Sequence, residues 1–189
     1  MGGEESFSGQ LEAFFEKTPS SFGWNEYYNH ANEPVHHVPY LFVYAGKPWL
    51  TQKWVRRILT NAYHNEVNGI CGNDDVGQMS AWYVLGAMGF YPVCPGEGIY
   101  ILGSPLFSRV RLHLDKKGYK EASFAITAQN QAPNHPYVQS AKLNGNALSR
   151  AWIRHSEIAA GGTLEFVMGA APNKQWASRS GDLPPSVAV

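Results

Sequence analysis

Two cysteines, Cys71 and Cys94, are all that 189 residues hold. Two are too few for a disulfide framework, and free, half-buried thiols are the expected state. Charge is also scarce. Asp, Glu, Lys and Arg make up 16% of the chain, against about 25% in an ordinary soluble domain, so much of this sequence expects burial. The 15 basic and 15 acidic side chains cancel and form no run of either sign. This predicts neither a nucleic acid nor an anionic membrane as partner. No apolar stretch is long enough to span a bilayer, and no signal peptide opens the chain. Residues 1–6 fit the loose N-myristoylation pattern, but the pattern is short and reads as chance. What the chain has instead is aromatic mass, 13% Phe, Trp and Tyr.

The first half reads as helical. Phe7, Leu11, Phe14 and Phe15 fall at helical spacing, and Thr18-Pro19-Ser20-Ser21 closes the segment. Residues 22–34 are polar, aromatic and irregular. A short apolar run at 38–44 carries Pro39, which belongs in a first helical turn. Thr51 is the expected N-cap of the next helix, whose apolar face is Trp54, Val55, Ile58, Leu59 and Ala62. A further helix follows Asp75 and ends at Gly89, with Pro92 behind it. The second half reads as strands at 99–102, 110–114, 123–128, 137–143, 151–155 and 163–168. Asn144-Gly145 and Gly161-Gly162 carry hairpin-type turn signals. The fold class predicted is α+β, with a helical region 1–92 and a strand-rich region 93–189.

Two polar clusters carry the chemistry. Asp74 and Asp75 sit on a Gly-bounded turn, Gly72-Asn73-Asp74-Asp75-Val76-Gly77, just before the helix with Met79, Trp82, Tyr83, Leu85 and Met88. Carboxylates at a helix N-terminus face unpaired N–H groups and tend to stay ionised. A held, ionised carboxylate suits a general base or a hard-cation site. The plain alternative is that one of them is an N-cap. The other cluster is Asn29-His30-Ala31-Asn32-Glu33-Pro34-Val35-His36-His37. Its spacing is poor for zinc, whereas Asn and Glu oxygens suit calcium better. Here the plain alternative is that Glu33 caps a helix and the histidines are hydrogen-bonded fillers.

Taken in order, N-E-P-x-H-H-x-P-Y-L-F, G-K-P-W, V-R-R-I-L, G-N-D-D-x-G-Q-M-S-A-W-Y-V, G-F-Y-P and G-S-P-L-F resemble the C-terminal half of glycoside hydrolase family 92. The likeness continues through Asn134-His135-Pro136-Tyr137 to Gly161-Gly162. The family comprises calcium-dependent, inverting exo-α-mannosidases. The resemblance implies the last helices of an (α/α)6 barrel followed by a β-sandwich-type subdomain. It implies Asp75 as general base with Asp74 as a second contributor. Asn32, Glu33 and Asp75 become calcium-site candidates. His30, Glu33 and Trp24 become sugar-contact candidates, and Trp82 is expected to lie buried behind Asp75. The substrate implied is the terminal mannose of a mannoside or N-glycan, with α-1,2 linkage expected, in a secreted or periplasmic setting.

The family's general acid stands in a Glu-Gly-x-x-Trp-type motif that this sequence lacks. Glu4, Glu5, Glu12, Glu16, Glu26 and Glu66 do not have that context. Met1-Gly2-Gly3 resembles the middle of the family pattern. The expectation is therefore a base-bearing portion, inactive alone, that packs against a missing N-terminal region or self-associates. The competing readings are a non-catalytic carbohydrate-binding module and a structural fragment that needs a partner.

Overall fold

The computed structural model describes residues 2–115, 117–118 and 123–186. Met1, which opens the acylation-type pattern, lies outside them. Helix α1 (Gly3–Glu16) buries Leu11 and Phe15. Phe15 stacks on Trp54 at 5.0 Å and lies 4.6 Å from the Tyr28 ring. Thr18 ends the segment by donating its hydroxyl to the Phe14 carbonyl and accepting the Tyr28 amide. The apolar run forms a 3-10 helix (Val38–Val43), with its proline in the first turn.

Helix α2 (Pro48–Asn61) begins four residues earlier than expected, with Lys47 in the N-cap position. Proline supplies the start, because its locked φ suits a first turn whose N–H groups need no intrahelical partner. Thr51 is not the N-cap: it lies inside α2, fully buried, and its hydroxyl has no partner among the described residues. The face Trp54, Val55, Ile58, Leu59 and Ala62 is buried as the spacing predicts. Helix α3 (Gln78–Met88) stops at Gly89, which adopts φ 104° and closes the last turn onto the carbonyls of Leu85 and Gly86.

Strands β1 (Phe90–Tyr91), β2 (Ile99–Leu102), β3 (Arg109–His113), β4 (Ser123–Gln129), β5 (Tyr137–Leu143), β6 (Asn146–Ala147) and β7 (Trp152–Arg154) follow. Then come the short helix α4 (His155–Ala159) and strand β8 (Gly162–Gly169). They form a three-stranded sheet, β1-β2-β7, and a five-stranded sheet, β3-β4-β8-β5-β6. The pairs are antiparallel except β4 with β8, which is parallel. Phe124, Ile126 and Ala128 alternate inward on β4, and Leu164, Phe166 and Met168 on β8. The molecule is thus mixed α and β. Pairing of β1 with β2 carries the chain across the 92/93 boundary.

Asn144 and Gly145 both have positive φ, 51° and 79°, and join β5 to β6 as a hairpin turn. The other glycine pair does something else. Gly161, at φ 76°, terminates α4, and Gly162 opens β8. Two glycines read alike in sequence because a hairpin and a helix stop both need a left-handed residue.

A polar joint ties α2 to the strand region. The Gln52 side-chain oxygen accepts the Val138 amide at 3.0 Å. The Arg56 guanidinium donates to the carbonyls of Pro105 (2.8 Å) and Ala132 (3.3 Å) and to the Ser104 hydroxyl (3.1 Å). Burial pushes Arg56 down to about 10, which still leaves it charged at neutral pH. Around this joint one apolar cluster runs from Leu11 to Ala177.

Candidate active site

Two loops meet above α3. One is the 30–36 segment, where Asn32 opens a 3-10 turn (Glu33–Val35) and accepts the Val35 amide. The other is the 72–77 turn. They touch at Gly72: a Cβ there would fall 2.7 Å from the Ala31 carbonyl oxygen. Only glycine lets the two backbones approach so closely.

The adjacent aspartates face different tasks. Asp74 accepts the Ser80 amide at 2.9 Å through its side chain. Its carbonyl takes the amides of Gly77 and Met79. It therefore caps the first turn of α3, satisfying donors that have no intrahelical partner. Asp75 takes the Gln78 amide on its carbonyl at 3.2 Å, but its side chain points away from these bonds, fully exposed, with its carboxyl in hydrogen-bonding reach of Glu33. That hydrogen bond, reinforced by the Glu33 charge, holds Asp75 above the usual carboxylate range. The turn is strained. Asp75, Val76 and Gly77 take positive φ in succession (50°, 58° and 95°). A β-branched valine in that region is a true outlier, and its side chain reaches only solvent.

Beneath the pair lies an aromatic and imidazole layer. Trp82 is fully buried, as expected, and its indole N–H donates to the His36 carbonyl at 2.9 Å. His30 is also fully buried. Its ring lies 4.5 Å from His36 and 4.3 Å from Trp82. Both ring nitrogens are taken, by the Tyr28 hydroxyl at 2.8 Å and the Tyr63 hydroxyl at 2.7 Å. Direct sugar contact by His30 is therefore corrected: no surface of it is left to touch a ligand. Burial pushes His30 well below its ordinary value and His36 down as well, so both are neutral.

The structure brings Glu33 and Asp75 together, and Asn32 adjoins Glu33 in the chain. It does not join Trp24 to them. Trp24 is 73% exposed, next to a turn set by Asn25, whose side chain spans the carbonyls of Gly23 and Tyr28. No hydrogen bond or ring contact links Trp24 to the carboxyl pair among the described residues. A cleft of about 460 Å³ is walled by Tyr63, Ile70, Ser80, Tyr83 and Val84. Glu33 and Asp75 stand outside it. Sequence reasoning missed Tyr63 and Gln78. Tyr63 meets His30 across 33 positions, and Gln78 meets His36 across 42; no local spacing marks such partners.

Calcium fits the chemistry of this donor set in part. Two carboxyls close enough to share a proton repel when both ionise, and a divalent cation relieves that as a proton does. Among the described residues no group of three or more His, Cys, Asp and Glu could hold a metal. Further ligands here would be neutral oxygens, of which the Asn32 side chain is one.

Residues 1–170 match the family model of the glycosyl hydrolase family 92 catalytic domain. A family GH92 α-mannosidase of Bacteroides thetaiotaomicron superposes with a TM-score of 0.90 at 36% identity, covering 99% of this chain and 24% of that one. A family GH92 inverting mannosidase of the same species superposes at 0.86 with 38% identity, covering 98% and 27%. An uncharacterized secreted glycosidase of Arthroderma benhamiae is 30% identical over 187 residues, which is 99% of this chain and 23% of the relative. The chain thus spans about a quarter of the length of the relatives it matches. It belongs to glycosyl hydrolase family 92.

Proposed function

We propose that this chain is the base-bearing, C-terminal portion of an inverting, calcium-dependent exo-α-mannosidase. It would release terminal mannose from mannosides or N-glycans, with α-1,2 linkage preferred. The observation that carries the reading is the exposed Asp75 carboxyl, held in hydrogen-bonding reach of Glu33 on a strained turn. Support comes from the family match and from a solved relative named as an inverting mannosidase.

In inverting hydrolysis one carboxyl protonates the leaving oxygen and another activates water on the opposite face, about 6.5–9.5 Å away. Asp75 is the base in this reading. It accepts the proton of a water aimed at the anomeric carbon, and the proton ends on its carboxylate. A carboxylate lifted above its ordinary range is a better base near neutral pH. Glu33 is too close to Asp75 to be the opposing acid, since no water fits between hydrogen-bonded carboxyls. The acid then comes from outside this chain. Asp74 supports Asp75 by holding the turn onto α3. Glu33, Asp75 and Asn32 would hold calcium, which when bound acts as a template and electrostatic stabiliser for sugar hydroxyls. Trp24, open to solvent, offers a stacking face for a sugar.

The fold proposed for the whole is the family's (α/α)6 barrel and β-sandwich, of which this chain supplies the last helices and the strand region. Helix α3 is apolar on nearly every side, yet Val84 is 54% exposed. A helix apolar all round is normally covered, so this face is where the remainder packs.

The test is mannose release from α-mannobiose. The isolated chain should give none, while a polypeptide carrying this chain with its upstream region should turn over. In that active form Asp75→Asn should lower kcat by about 10²–10⁴-fold, the usual worth of a general base, with KM little changed. An Asp75→Asn enzyme that retains wild-type kcat would remove Asp75 from the chemistry.

A further inference from the structure

The two carboxyls come from separate loops, so something must hold those loops in register. The hydrogen bonds beneath them run in one direction. The Tyr63 hydroxyl donates its single proton to the Met79 carbonyl at 3.1 Å. Its oxygen must then accept from His30, whose Nε2 lies 2.7 Å away. The other nitrogen, Nδ1, is left as an acceptor, and the Tyr28 hydroxyl donates to it at 2.8 Å. His36 is oriented in the same way. Its Nε2 faces the His30 carbonyl at 3.0 Å, an acceptor only, so that nitrogen carries the proton. Nδ1 accepts from the Gln78 amide at 3.2 Å, and the same amide reaches the Tyr91 hydroxyl at 3.1 Å.

Three tethers therefore run between α3 and the segment that carries Glu33. Gln78 holds the His36 ring, Trp82 holds the His36 carbonyl, and Tyr63 links His30 to the carbonyl of Met79 in the first helical turn. That turn is the one Asp74 caps and Asp75 precedes. On the other loop, the His36–His30 bond closes a ring of backbone around Glu33. Buried networks in which every member is satisfied rigidify what they join. Its two imidazoles are buried, while Tyr63, Gln78 and Tyr91 are half-buried around them and Tyr63 also walls the cleft.

We propose that His30, His36 and Tyr63 are positioning residues that set the approach of Glu33 to Asp75 through this oriented relay, with Gln78 as its link into α3. The proposal rests on reading Glu33 and Asp75 as the site. Its test is hydrogen exchange and imidazole ¹⁵N spectroscopy on the 189-residue chain, which read no hydrolysis. Failure of the tethers is thus separable from failure of the mannosidase reading, which Asp75→Asn decides.

Wild type should give the Nε2–H tautomer at both His30 and His36. Tyr63→Phe keeps the ring that lies parallel to Trp82 at 6.1 Å and deletes only the hydroxyl. It should move the His30 ring signals. It should also speed exchange of the Val35, His36, Gln78 and Met79 amides by about ten- to a hundredfold, the loss of the hydroxyl's two hydrogen bonds, to His30 and Met79, leaving β8 amides at wild-type rates. Gln78→Met, which cuts the His36 link and the bond to Tyr91 but leaves the His30 bonds in place, should free Val35 and His36 and spare the His30 signals. Three outcomes overturn the proposal: an Nδ1–H tautomer at either histidine, unchanged exchange in both segments, or acceleration spread evenly into β8. The last would mean that the hydroxyl serves only general packing.

Discussion

Asp74 and Asp75 are neighbours in sequence with opposite surroundings, and the difference predicts opposite mutant behaviour. Asp74 is tied to the α3 end through Ser80. Its replacement by Ala should cost about 0.5–2 kcal/mol of stability, as loss of an N-cap acceptor does; urea unfolding measures this. Asp75 makes no such tie, and its substitution by Asn should leave the unfolding curve nearly unchanged while removing activity. Glu33 acts through the ionisation of Asp75. A base works only when deprotonated, so activity falls as pH drops through the Asp75 value. Because Glu33 lifts that value, Glu33→Gln should move the acid limb of the pH–rate profile to lower pH. An acid limb that stays in place, or moves up, would show that Glu33 does not set the ionisation of Asp75.

The turn that carries Asp75 departs from ordinary backbone, and that too is measurable. Val76 adopts φ 58° with a fully exposed side chain, so glycine there loses no packing. Val76→Gly should raise stability by about 1 kcal/mol, relief of part of the strain stored in a left-handed valine. Gly72→Ala should do the reverse. Its Cβ would meet the Ala31 backbone at 2.7 Å and 2.9 Å, forcing the loops apart at a cost of about 1–3 kcal/mol. Periodicity made most of the elements legible. α2 was readable from its apolar face, α3 from an apolar run between the acidic turn and Gly89, and β2, β4, β5 and β8 from short apolar runs between turn residues. Two-residue strands such as β1 and β6 are too short to carry a period. The Thr51 cap failed because a proline at the helix start competes with any downstream hydroxyl. Of the site, the acidic turn and the Asn-Glu segment were visible as clusters. The burial of His30 was not, because it depends on tyrosines brought in by tertiary packing.

Across the fold, acid should act unevenly. His30 and His36 are neutral in the folded chain, with values held below the ordinary 6.5 by burial. Once unfolded they return to that value, so at lower pH the unfolded chain binds more protons than the folded one. Stability is therefore complete above about pH 6.5 and declines as pH falls below it. Circular dichroism melting temperatures between pH 7.5 and 5 would check this, and His36→Gln should flatten part of the slope. The Arg56 joint has a different character. Its acceptors are two carbonyls and a hydroxyl, none of which titrates in that range. Acidification thus removes no counter-charge from it. An acid-stressed molecule should loosen first around the imidazoles, while α2 stays clasped to the strands. The expected product is a half-opened chain whose sheet end survives as a platform for closing again when the proton concentration drops.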